Sequence, residues 1–351
     1  MSKLDKNDVK SREGKVSTFE SEIFGLDNKV DGFVVVDRKF SSDESLPSFM
    51  LSNINPVTTD VDYNLERIKA IADIAANSSI NILVFPELSI SGYVWNPGED
   101  KSEVSEHLRG CVNTSPKVKE TIDYLRDCMA SSHLDMVVLN NVRIDEDEKL
   151  YNTTFIIGSD NDYNECSYDK IFLTPVEKEI FQGGNDQRLV VDTRWGRFGI
   201  TVCYDLCFVG MGKKYSFEDE VDAVINSAAW RRDSVREYPE LNYRMTNYYE
   251  YIWDLKHCAL ASHNQIWSIG CTCVGVFDKT KTDFCGGSGF WSPSGIPVLQ
   301  ASKYYEELLI LRNLDITKNI RNQAVEDFDY SLDHNQIWKN VRDISPKNFS
   351  L

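Results

Sequence analysis

Asn81-Ile-Leu-Val-Phe-Pro-Glu87 is an apolar run that breaks at a proline and then at a carboxylate. A short continuous apolar stretch bounded in this way reads as a strand buried on both faces, which is what the sheet of an α/β protein requires. Upstream, Asp62 to Ala76 sets Leu65, Ile68, Ile71, Ala72 and Ala75 on one face at helical spacing, and residues 48–54 form a candidate strand before it. Strand, helix and strand in succession open an α/β domain at Ser48.

The pattern continues with a helix at 116–131 and strands at 135–143, 151–158, 165–172, 188–193 and 197–202. Asp222-Ala-Val-Ile-Asn226 reads as a buried strand, and 245–262 as a helix with Met245, Tyr249, Ile252, Leu255 and Leu260 near one stripe. A strand at 265–277 and an element at 306–314 close the series. Helices at both ends with paired strands between them predict two sheet layers covered by helices. Residues 1–47 form a separate N-terminal segment, in which Gly32-Phe-Val-Val-Val-Asp37 fits one added strand and Ser41-Ser-Asp-Glu-Ser-Leu-Pro47 a linker. The stretch 317–351 is a polar tail with scattered aromatics, Phe328, Tyr330, Trp338 and Phe349, expected to pack on a partner subunit.

Of the 351 residues, 42% are hydrophobic, ample for a packed core. The balance of 55 acidic against 38 basic residues gives a net charge of -17, which repels nucleic acid and anionic membranes in the absence of a basic patch. The start of the chain is polar, without the apolar centre of a secretion signal, and no apolar run approaches the ~18 residues of a membrane span. A cytoplasmic location is therefore expected. The cysteines, nine in number and scattered, read as reduced thiols.

Two further runs end as the first does: Glu165 to Asp169 precedes Lys170, and Gly199-Ile-Thr-Val202 precedes Cys203. Ligands of open α/β sheets bind in the crevice at the carboxyl ends of strands, so Glu87, Lys170 and Cys203 can converge although far apart in sequence. The Lys170 ammonium is expected to lower the pKa of the Cys203 thiol. Aimed at a carbonyl oxygen, it would also stabilise a tetrahedral intermediate together with the backbone N–H of Tyr204. Glu87 would take the thiol proton, deliver it to a departing amine, and later activate water against the thioester. Each residue also fits an ordinary role: Cys203 as a small core residue, Glu87 as a turn cap, Lys170 as a solvated strand end.

Three stretches sharpen the reading: Val84-Phe-Pro-Glu-Leu-Ser-Ile-Ser-Gly-Tyr93, Tyr168-Asp-Lys-Ile-Phe-Leu-Thr-Pro175 and Trp195-Gly-Arg-Phe-Gly-Ile-Thr-Val-Cys-Tyr-Asp205. In that order they resemble the three signature regions of the nitrilase superfamily of carbon-nitrogen hydrolases, and the likeness extends over residues 48–316. The resemblance implies a four-layer αββα sandwich, with Glu87 as general base, Lys170 as oxyanion-stabilising lysine and Cys203 as nucleophile. It adds Glu177 as a second glutamate that helps position substrate. It implies chemistry without a metal or organic cofactor, and a homodimer or larger assembly with the region after the nucleophile and the C-terminal tail at the interface. Tyr204-Asp205 resembles the amidase branches, whereas nitrile-hydrolysing members tend to carry Trp-Glu there. The expected reaction is hydrolysis of a small linear amide.

Substrate-positioning candidates are Tyr93, Tyr204, Trp230 and Arg231, whose guanidinium could clamp a substrate carboxylate bidentately; the Arg231-Arg232 pair also fits a solvated surface. The stretch after Cys203 lacks the Pro-Glu of amidase relatives, which leaves the start of the following helix open. His107, His133, His257, His263 and His334 show no metal-ligand spacing, and Phe290 breaks the serine elbow suggested by Gly286-Gly-Ser288-Gly. A soluble acyltransferase, a nitrilase, an N-carbamoyl hydrolase and a non-catalytic scaffold of the same fold are the alternatives.

Overall fold

The computed structural model describes residues 33–58, 60–93, 100–185, 187–232, 234–276, 283–317 and 328–337. Among the described residues two large sheets form the core. The first contains β1 (Val34–Lys39), β2 (Phe49–Asn53), β3 (Ile82–Val84), β4 (Met136–Ile144), β5 (Leu150–Ile157), β6 (Ser167–Asp169) and the late strand β17 (Glu307–Arg312). Their spatial order is β1-β17-β2-β3-β4-β5-β6. The second contains β7 (Leu189–Thr193), β8 (Gly196–Val202), β9 (Ala223–Ala228), β12 (Trp267–Thr272), β15 (Gly289–Trp291) and β16 (Pro297–Gln300), in the order β16-β15-β12-β9-β8-β7. Two small pairs stand apart, β10 (Arg236–Tyr238) with β11 (Tyr243–Met245) and β13 (Val274–Val276) with β14 (Asp283–Cys285).

The helices are α1 (Val61–Asn77), α2 (Lys101–Gly110), α3 (Pro116–Ala130), α4 (Val209–Phe217), α5 (Tyr248–Asn264) and α6 (Tyr330–Ile337). Each sheet has a parallel centre, β2-β3-β4 in one and β8-β9-β12 in the other, flanked by antiparallel strands. Parallel neighbours need a crossover, and α1, α3, α4 and α5 supply them. Helix α1 starts where the Asp60 carboxylate caps the Tyr63 N–H at 3.0 Å.

Strand side chains alternate between faces, and the alternation builds the layers. Phe49, Leu51, Ile82, Val84, Val138 and Leu309 of the first sheet meet Phe198, Ile200, Val202, Ile225, Ile269 and Phe290 of the second. On the opposite face Met50, Leu83, Val137 and Ile310 pack on Ile68, Ile71, Ile122 and Leu125 of α1 and α3. Tyr215 of α4 and Trp253 and Ala261 of α5 join the core of the second sheet. Helix, sheet, sheet, helix is the expected αββα sandwich.

Some elements differ from expectation. The strand at 165–172 shortens to β6, and the strand at 265–277 divides at Cys273, where the chain leaves β9 and β15 and β13 pairs with β14 instead. Residues 34–39 form a strand at the edge of the first sheet, parallel to β17, while 1–32 lie outside the described residues. In the described part of the tail the Gln265 amide donates to the Phe328 carbonyl at 2.8 Å, and the rings of Phe217 and His334 stack at 4.8 Å. Trp338 and Phe349 lie outside the described residues. Among the described residues no helix is long and apolar enough to cross a membrane.

Candidate active site

Glu87 follows β3 through Phe85-Pro86, and its N–H donates across the sandwich to the Ala228 carbonyl of β9 at 3.2 Å. The next residue, Leu88, turns the chain at φ +53° with its N–H on the Asn140 side-chain oxygen at 2.7 Å. Lys170 follows β6, its N–H donating to the Asn152 carbonyl at 2.8 Å. Cys203 follows β8 and opens a 3-10 turn over Cys203–Cys207 at φ +46°, a left-handed conformation that is strained for a residue with a side chain and is characteristic of functional sites.

These turns bring four of the expected residues together. The Lys170 ammonium donates to Glu87 Oε1 and to Glu177 Oε1, each at 2.7 Å. Glu87 Oε2 accepts the Ala229 N–H at 2.7 Å, and the Cys203 thiol stands in hydrogen-bonding reach of the same carboxylate. Glu177 Oε2 accepts the Thr174 N–H at 2.8 Å. Glu87 and Glu177 are fully buried, Lys170 is 1% exposed and Cys203 8%. An ion pair this dry persists only with its remaining hydrogen-bonding positions filled, and here most of them are.

Burial pushes the Glu87 carboxyl above its ordinary range, against the pull of the Lys170 charge. Burial also works against the ammonium, but Glu177 and Glu87 outweigh it and hold Lys170 charged, well above the usual lysine value. The expected lowering of the Cys203 thiol does not occur. Burial, followed by the Glu87 charge, raises it well above the ordinary thiol range, because Lys170 is already shared between two carboxylates. The thiol therefore rests protonated and needs a base to remove its proton.

The other candidates are more scattered. Tyr93 stands beside the buried charges: its phenol is raised well above its usual value by burial first and by Glu177 next. Its ring packs edge-on against Phe284 at 6.3 Å, and the Arg231 guanidinium lies 5.9 Å from its centre. Trp230 turns its indole N–H to the Tyr249 carbonyl at 2.9 Å and its ring towards Trp253, so the stretch reaches Glu87 through the Ala229 backbone rather than through the indole. The Tyr204 ring packs edge-on against Phe208 at 5.3 Å. Arg232 is engaged elsewhere, 3.6 Å from the Glu250 carboxylate and over the Tyr304 ring.

Two residues have roles in the site that the sequence did not suggest. Asn152 of β5 donates its amide to Glu87 Oε1 at 2.7 Å and to Glu177 Oε1 at 3.3 Å. Asp205 is fully buried and accepts the N–H groups of Phe172 and Val202 and the Tyr168 hydroxyl. The available signal was polarity inside a buried strand: Asn152, Thr153 and Thr154 interrupt an otherwise apolar β5.

Comparison with known proteins places this architecture. A protein of Schizosaccharomyces pombe named as a probable nitrilase is 23% identical over 263 residues, covering 74% of this chain and 86% of that one. The glutamine-dependent NAD(+) synthetase of Thermotoga maritima is 27% identical over 79% of this chain, which spans only 43% of that longer protein. In fold, the chain resembles Nit3 of Saccharomyces cerevisiae, described as a member of branch 10 of the nitrilase superfamily, at a TM-score of 0.64 with 20% identity, covering 83% of this chain and 99% of that one. An amidase from Nesterenkonia sp. gives 0.62 with 20% identity, covering 85% and 99%. Residues 51–317 match the model of the carbon-nitrogen hydrolase family, and the chain belongs to that family.

Proposed function

We propose that the protein hydrolyses a non-peptide C–N bond in a small linear amide, giving an acid and ammonia or an amine through a thioester on Cys203. The observation that carries this reading is the arrangement of donors on Glu87. Three of its acceptor positions are taken by Lys170, Asn152 and the Ala229 N–H, and the thiol is the remaining neighbour. Glu87 takes the thiol proton as sulfur attacks the carbonyl carbon, and the carbonyl π pair moves to oxygen. Lys170 has three N–H donors, two of them on carboxylates, so the third is available to that oxygen, with the Tyr204 backbone N–H as a second donor. Collapse breaks the C–N bond, and the proton on Glu87 leaves with the nitrogen. Water then attacks the thioester; Glu87 takes its proton and returns it to sulfur as the acid departs.

Glu177 holds the second side of the ammonium, and Tyr93 with Arg231 walls the substrate side. The preference for amides rests on Tyr204-Asp205. In this reading the protein works as a homodimer or larger assembly on a small molecule, in the cytoplasm. Ammonia release across a panel of amides, nitriles and carbamoyl compounds tests it: amides are consumed, and Cys203→Ala abolishes release. Activity surviving in that variant overturns the thioester route. Turnover of nitriles or carbamoyl compounds alone, or acyl transfer to an amine with no hydrolysis in its absence, replaces the amidase reading by the corresponding alternative.

A further inference from the structure

Asn152 is fully buried in β5, and its amide nitrogen and the Lys170 ammonium share the same two acceptors, Glu87 Oε1 and Glu177 Oε1. Two donors and two oxygens thus alternate around a closed square. The amide oxygen of Asn152 is buried without a partner. That orientation is forced, because only the NH2 end can face two carboxylates. An unsatisfied buried acceptor is unfavourable, and a protein tolerates one where a function needs the group that carries it.

We propose that Asn152 is a positioning residue of this site: by donating to both carboxylates it closes the square, confines the Lys170 ammonium between them, and fixes the Glu87 carboxylate beside the Cys203 thiol. The proposal rests on the reading of Glu87 as the base. Two carboxylates and one ammonium carry a net negative charge in a dry space, where repulsion between the carboxylates is strong. A neutral donor bridging them relieves that repulsion without cancelling the charge that makes Glu87 basic. Without it the two Oε1 atoms would share the Lys170 ammonium alone, each carboxylate otherwise held only at Oε2, by the Ala229 and Thr174 N–H groups.

The test needs no substrate. Alkylation of Cys203 by iodoacetamide, followed on the Cys203 peptide by mass spectrometry as a function of pH, reports the proton shared by thiol and base. Loss of the amide donors makes the carboxylates hold protons more tightly, so Asn152→Leu is expected to raise the midpoint of the acid limb by about one pH unit. Asn152→Asp is nearly isosteric and adds a third carboxylate, and is expected to raise it further; if the leucine variant fails to fold, this variant carries the test. An acid limb unmoved in folded variants, whatever their melting temperature, overturns the proposal and leaves Asn152 a packing residue. Glu87→Gln is measured in parallel. If it leaves the wild-type profile intact, the assignment of Glu87 as base falls, and that failure is distinct from an unmoved limb in the Asn152 variants alone.

Discussion

Asp205 shows how one side chain joins two turns that come from different sheets. Its Oδ1 accepts the Phe172 N–H at 2.9 Å, and its Oδ2 accepts the Val202 N–H at 3.0 Å and the Tyr168 hydroxyl at 2.8 Å. Tyr168 and Phe172 flank Lys170, and Val202 precedes Cys203, so the carboxylate fastens the ammonium-bearing turn to the thiol-bearing one. Asp205→Ala strands the buried Val202 N–H and Tyr168 hydroxyl, each worth about 1–3 kcal/mol, together with the part-buried Phe172 N–H, and loosens a geometry on which attack depends. The expected result is a kcat for amide hydrolysis reduced at least ~100-fold with KM changed only a few-fold. Steady-state kinetics beside a melting curve checks it, and a folded variant with wild-type kcat would show that the two turns do not need this link. The charge balance at Cys203 has a related lesson. Glu87, Lys170 and Cys203 were legible in the sequence because each sits in a signature at a strand end, and Glu177 through the family resemblance alone, but the sign of the thiol shift was not. It depends on Lys170 being shared by two carboxylates, which only folding decides.

At the scale of elements, the packing of α5 on β12 predicts a response to acid. His257 is fully buried, its Nδ1 2.7 Å from the Ser268 hydroxyl and its ring stacked on Trp291 with centroids 4.2 Å apart. Burial holds the imidazole at about 3, against 6.5 for a free histidine. Between those values the unfolded chain binds a proton that the folded chain refuses. Stability is therefore complete above 6.5 and falls as pH drops towards 3, by up to ~1.4 kcal/mol per pH unit. Asp205 works in the opposite sense, its carboxyl lifted by burial to about 6 from 3.8, so its share of stability is lost as pH rises through that window. That share is common to wild type and His257→Phe. Urea unfolding of both proteins at a series of pH values should then give a stability difference that is flat above 6.5 and shifts steadily in the variant's favour below it; a difference that stays flat throughout would mean that His257 is not the group responsible. The same region shows which elements a sequence reveals. Strand β3 was plain because its run is wholly apolar, β8 and β9 because β-branched residues cluster at Ile200-Thr-Val202 and Val224-Ile225, and α1 because its buried stripe is regular. Helix α4 carries two glycines, and α2 buries only Val104 and Leu108, so neither has a face strong enough to register. The break at Cys273 reflects a change of pairing partner, which has no local signal.

For the whole molecule, the segment before the family match completes a sheet edge. Strand β1 pairs in parallel with all of β17, Phe33 is fully buried under the Arg67 guanidinium at 4.6 Å, and Val35 is 8% exposed. Asp37 receives Arg312 through Nε at 2.9 Å and through a second nitrogen at 2.7 Å, and Phe40 packs edge-on against Trp267 of the other sheet at 5.6 Å. Residues 33–40 therefore touch both sheets, although residues 51–317 carry the family match. Removing them uncovers β17, whose Leu308, Leu309 and Ile310 are fully buried, and leaves its hydrogen-bonding edge open to other chains. Two truncations separate this contribution from that of the residues before it: one begins at Phe33 and the other at Ser41. The loss of Phe33 and Val35 burial alone, at ~1.5–3 kcal/mol each, predicts a melting temperature at least ~5 °C lower for the shorter chain than for the longer one. Light scattering should show association of the shorter chain as it warms. Glu87 follows β3, separated from β1 by β17 and β2, so amide hydrolysis per folded molecule should match in the two truncations at low temperature. Equal melting temperatures would show that β17 closes the sheet without help; a loss of activity at equal folded fraction would show instead that the segment reaches the site.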